Sequence, residues 1–120
     1  MTVSELITKF RRLNPNQMDT EDILSWLTNV DQTVTKEILQ PRTQEAKALP
    51  VYTAVDDTPL LIPTPYAEAY VFYLAAMVDF WTQDMNGYNN SMHAYSTMFS
   101  NYRDYYNRTF KMISAQSIRV

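Results

Sequence analysis

Residues 69–78 constrain this chain more than any other stretch. Ala69, Tyr70, Val71, Phe72, Tyr73, Leu74, Ala75, Ala76, Met77 and Val78 leave a helix no polar face. A surface helix shows an apolar stripe, whereas one that is apolar all round is covered on all sides. Either the other helices of a small domain enclose it, or neighbouring subunits share in covering it. Glu68 and Asp79 flank the run, which falls well short of the roughly 20 apolar residues of a membrane span. A soluble protein with no membrane partner is expected.

The surrounding segments read as helices with clear punctuation. Val3, Leu6, Ile7, Phe10 and Leu13 have helical spacing and precede the breaker Asn14-Pro15-Asn16. Asp19 or Thr20 caps a second helix, with Glu21 and Asp22 at its positive end. Its stripe runs through Ile23, Trp26, Leu27, Val30, Val34 and Ile38 until Pro41. Residues 41–63 carry Pro41, Pro50, Pro59 and Pro63, which suit an extended loop or a short β-hairpin of 51–55 with 60–62.

A third helix is expected from Thr64 as N-cap and Pro65 as first residue to about Met85, with Asn86-Gly87 as its C-cap. Asn89 or Asn90 would then cap a fourth helix. Its seam of Met92, Tyr95, Phe99, Tyr102 and Tyr106 alternates steps of three and four. The segment 111–120 has no cap or rhythm and is expected to be a flexible tail. The fold class is all-α: about four helices, with the loop or hairpin between the second and third.

Function classes are narrowed mostly by exclusion. Cysteine is absent, so disulfides, thiolate metal sites and a cysteine nucleophile are too. Met1 to Leu13 alternates apolar and charged residues, unlike a secretory signal. The formal charge is −3, and no Lys or Arg lies between Lys47 and Arg103. Tight nucleic-acid binding needs a clustered basic surface, which is not evident.

No residue pattern reads as a catalytic, cofactor or metal site, and no enzyme is expected. His93 has no carboxylate three or four positions away. Asp79 and Asp84 are five apart and should not share a helix face. A single glycine rules out glycine-rich phosphate loops. Asp56-Asp57 reads first as turn chemistry. Tyr105 and Tyr106 are adjacent and must face different sides of a helix, so at least one should leave the seam for a partner. With Arg108 beside them they suit a docking surface.

Several phrases carry a family resemblance. They are Asn14-Pro15-Asn16-Gln17, Ile23 with Trp26-Leu27, Leu61-Ile62-Pro63, Pro65-Tyr66 and Tyr70. Tyr73-Leu74, Ala76, Asp79, Tyr88-Asn89-Asn90-Ser91 and Tyr105-Tyr106-Asn107-Arg108-Thr109 complete the set. In these the chain resembles the head–tail connector proteins, also called adaptor or head-completion proteins, of long-tailed phages and prophages of Gram-positive bacteria. The likeness covers roughly residues 3–110 and is strongest after residue 60.

The resemblance implies one connector domain over 1–110 that forms a homo-oligomeric, twelve-fold ring on the portal protein. The ring would extend the DNA channel, without binding DNA specifically, and serve as a platform for tail-completion or stopper proteins. Such a protein is assembled in the host bacterial cytoplasm and resides in the virion neck. On this reading Tyr105, Tyr106, Arg108, Phe110, Met112 and Ile113 meet the portal or another partner, and the loop with Asp56 and Asp57 faces the channel. Two alternatives stand beside it: another neck protein, stopper or tail-completion, and a small helical regulator that binds a protein partner as a dimer.

Overall fold

The computed structural model describes the backbone of residues 1–42 and 47–118, and the side chains of 1–41 and 47–110. Four helices dominate: α1 (Val3–Leu13), α2 (Thr20–Val34), α3 (Glu68–Trp81) and α4 (Met85–Ile118). A π turn over Thr35–Leu39 and a 3-10 turn over Gln40–Arg42 carry α2 into Pro41. The described residues contain no β-strand, only an isolated bridge between Thr2 and Pro59.

The first helices form as their sequences suggest. Thr2 caps α1, its hydroxyl accepting from Glu5 N at 3.2 Å, and Val3, Leu6, Ile7 and Phe10 turn inward. Asn16 closes the next turn by donating to Asn14 O and accepting from Met18 N. Asp19 is the N-cap residue of α2, using its backbone carbonyl, which accepts from Asp22 N and Ile23 N.

The 47–63 segment is an extended strap and not a hairpin. Its polar backbone goes to the helices instead of to itself. Thr58 O accepts from Val3 N and Asp56 O from Ser4 N, satisfying two of the amides that open α1. Leu60 N donates to Met1 O. Further back, Gln32 Nε2 reaches Pro50 O and Tyr52 N donates to Thr28 Oγ1. Tyr52, Leu60 and Ile62 thus enter the same core as the helices.

The second helical hairpin differs from the sequence expectation at three places. Thr64 and Pro65 do not begin α3: Tyr66 N closes a turn onto Pro63 O around the cis Thr64–Pro65 peptide, and the helix starts at Glu68. Lys9 pairs with Glu68 there, tying α1 to the start of α3. Asn86-Gly87 does not end α3 either, because Gly87 lies in the first turn of α4. Lastly, α4 is continuous through Ile118, beyond Lys111, where the sequence suggests a flexible tail.

The corner itself is a Schellman turn centred on Gln83. Asp84 N donates to Asp79 O at 2.8 Å and Gln83 N to Phe80 O at 3.2 Å, with Gln83 at φ 65°. Asp84 then caps α4, its carboxylate accepting from Gly87 N at 3.0 Å. A Cβ on Gly87 would lie 2.6 Å from Asp79 Oδ2 and 2.7 Å from Asp84 Oδ2. A side chain at this position would have to push the two carboxylates aside. Asp79 and Asp84, five apart in sequence, are brought together by the turn between them.

Left-handed backbone is costly for glutamine and free for glycine. Gln83→Gly is therefore expected to stabilise the fold by about 0.5–1 kcal/mol, offset in part by greater freedom of the unfolded chain. A thermal melt that falls instead of rising would contradict that account.

Packing on α3 is uneven. Ala69, Tyr70, Leu74, Ala76 and Val78 are buried, but Val71, Phe72, Ala75 and Met77 are only half-buried. The helix expected to be covered all round is thus incompletely covered within a single chain, chiefly over the arc of Val71, Phe72 and Ala75.

Candidate functional site

The distal end of α4 is where the candidate interface residues gather. α3 and α4 run side by side through a ladder of rings: Tyr73 meets Tyr95 at 5.1 Å, and Tyr95 meets Phe99 at 5.7 Å. Tyr66, just before α3, packs on Tyr102 at 5.8 Å and Tyr105 at 5.4 Å. These offset, tilted geometries suit the ring quadrupoles. The seam read from the sequence is therefore real, with Phe99 and Tyr102 at its buried centre.

Past Tyr66 the helix outruns its neighbour. α4 continues from Tyr105 to Ile118, about 20 Å at 1.5 Å per residue. Rings continue along it, Tyr102 to Tyr106 at 6.2 Å and Tyr106 to Phe110 at 6.4 Å. Of the adjacent tyrosines, Tyr106 stays in line with the seam. Tyr105 is the one that turns outward, at 42% exposure. Arg108 is exposed on the same stretch. The side chains of Met112 and Ile113 lie outside the described residues.

The strap carboxylates sit elsewhere, at the opening of α1. The Thr58 hydroxyl, followed by Thr58 N donating at 2.9 Å, holds the Asp56 carboxyl below its ordinary value, and Asp57 is exposed. This is ordinary Asx-turn chemistry. His93 is exposed, and its carbonyl accepts from Thr97 Oγ1.

One polar constellation escaped the sequence reading. Asp31 on α2 is fully buried, and both of its oxygens are occupied. Oδ2 accepts from Tyr52 OH and from Leu61 N at 3.1 Å, and Oδ1 accepts from Tyr70 OH. Tyr70 OH in turn accepts from Ile62 N at 2.7 Å. Thr35 Oγ1 donates to Asp31 O. The network joins α2, both ends of the strap and α3.

Electrostatics here follow from burial. Desolvation raises the Asp31 carboxyl above its ordinary value, opposed by hydrogen bonds from Tyr52, Tyr70 and Leu61. Tyr52 and Tyr70 are pushed up by burial and by the adjacent carboxylate. Burial also pushes Tyr102 up to about 12. The phenols therefore remain neutral donors at physiological pH. The arrangement is a fastening: both oxygens of Asp31 are taken up by donors from the strap and α3.

No protein-family model, curated protein or solved structure matches this chain. Among the described residues no group of three or more potential ligands could hold a metal, and no helix is long and apolar enough to cross a membrane.

Proposed function

We propose that this chain is a structural assembly protein of the head–tail connector kind, docking on a portal ring through the distal end of α4. The observation that carries the proposal is the overhang of α4 beyond Tyr66, with partly open Tyr105 at its root and exposed Arg108 upon it. Tyrosine and arginine are both enriched among the residues that dominate protein interfaces. The incompletely covered arc of α3 supports the second element, association of copies into a ring, twelve-fold by the family resemblance. In that assembly the ring extends the DNA channel in the virion neck, with the Asp56-Asp57 turn towards the channel. Stopper or tail-completion proteins attach to the face away from the portal.

Mixing the purified chain with a portal ring from the same phage or prophage tests this directly, read by native mass spectrometry. Tyr105→Ala combined with Arg108→Ala, at the two side chains exposed on this stretch, should keep the helical circular dichroism spectrum and weaken portal binding about 100-fold. Unchanged portal binding by that variant would remove the assignment of α4. A stable dimer with no affinity for portal would instead favour a small regulatory protein.

A further inference from the structure

The opposite end of the helical hairpin carries a second surface, about 35 Å along α4 from Arg108. A groove of about 450 Å³ opens there between α2 and the α3–α4 corner, lined by Met18, Asp22, Trp26 and Trp81. Trp26, 8% exposed, forms its floor, and Trp81, 64% exposed, stands at its edge. Phe80 packs edge-on against Trp81 and is itself 46% exposed. Leaving two large aromatics this open is costly for a surface without a partner. The groove has room for one large side chain.

Charge at the corner indicates what such a partner carries. Asp22 lines the groove, and Asp79 and Asp84 crowd the same corner across Gly87. Among the described residues none of the three takes part in an ion pair. The chain has no Lys or Arg between Lys47 and Arg103 to supply one. Arg11 approaches from α1, but its guanidinium donates to Met18 O and Thr20 Oγ1. Desolvation, together with repulsion from Asp84, holds the Asp79 carboxyl above its ordinary value.

We infer that this corner docks a segment of a partner protein in which a large apolar side chain is flanked by lysine or arginine. The apolar side chain enters between Trp26 and Trp81, and a flanking cation meets Asp22 on the groove wall. The inference is independent of the proposed portal contact, which uses the other end of α4.

Both tryptophans of the chain line the groove, so intrinsic fluorescence reports on its occupancy. The probe is a tryptophan-free peptide of leucine pairs separated by arginines, with glutamate replacing arginine in the control; calorimetry gives affinities. The arginine peptide should cause a saturable fluorescence change that weakens with salt. Trp81→Ala should reduce affinity about tenfold, and Asp22→Asn about twofold to fivefold. Circular dichroism verifies that both variants fold. Equal binding of the glutamate peptide, or no response to either, would overturn the inference. So would a fluorescence change on concentrating the protein alone, since the occupant would then be a second copy.

Discussion

Asp31→Ala is expected to cost about 3–5 kcal/mol of stability, the range for breaking a buried charged network. Three donors converge on this carboxylate from three parts of the chain: Tyr52 OH, Leu61 N and Tyr70 OH. Alanine accepts none of them and leaves each without its partner in a dry interior. Domains of this size have only about 5–15 kcal/mol in total, so the variant should be close to unfolding at room temperature. Urea denaturation followed by far-UV circular dichroism measures the loss. Asp31→Asn should be milder, about 1–2 kcal/mol. Its amide oxygen can serve Tyr52 and Leu61 while its NH2 donates to Tyr70 OH, so only the Tyr70 hydroxyl hydrogen loses its acceptor. A loss below about 1 kcal/mol for alanine would mean that water enters and the network does not hold the strap.

The same residue shows where sequence patterns stop being informative. Local amphipathicity specifies α1 and α2 because each needs only one covered face; the expected stripes are buried from Val3 to Phe10 and from Ile23 to Ile38, but Leu13, last of the first stripe, is exposed at the end of α1. Asp31 occupies a stripe position, four after Leu27 and three before Val34, between Thr28 and Thr35. A carboxylate at such a position signals a buried acceptor. Its donors, however, lie 21 and 39 residues away, and no local rule names them. The corner failed for a different reason. Glycine after asparagine suits a helix end, yet Asp84 three residues earlier suits a helix start, and the cap hydrogen bond to Gly87 N decides between them. The aromatic seam of α4 was legible at its centre, Tyr95 to Tyr106, because steps of three and four need no knowledge of the partner helix. The overhang was not, since where α3 begins depends on the Pro63–Tyr66 turn.

Tyr70→Phe should be the second large effect, about 2–3 kcal/mol at neutral pH. The hydroxyl it removes both donates to Asp31 and accepts from Ile62 N, at a fully buried site. The ring is retained, so no cavity forms and the loss is polar. The variant also makes a pH signature that simple packing damage would not. Asp31 has a folded-state value above its unfolded 3.8, so the native state binds the extra proton. Its contribution to stability is fully present below 3.8 and is lost as pH rises through the folded value. Tyr70 is among the groups that lower that folded value. Without its hydroxyl the value rises further and the window of loss widens upward. The difference between wild type and Tyr70→Phe should therefore be smallest near pH 4 and grow towards neutrality. In the background of Asp31→Asn, where nothing titrates at this position, the cost of Tyr70→Phe should be independent of pH over the same range. Parallel curves for Tyr70→Phe and wild type would show that the tyrosine acts through packing and not through the carboxylate.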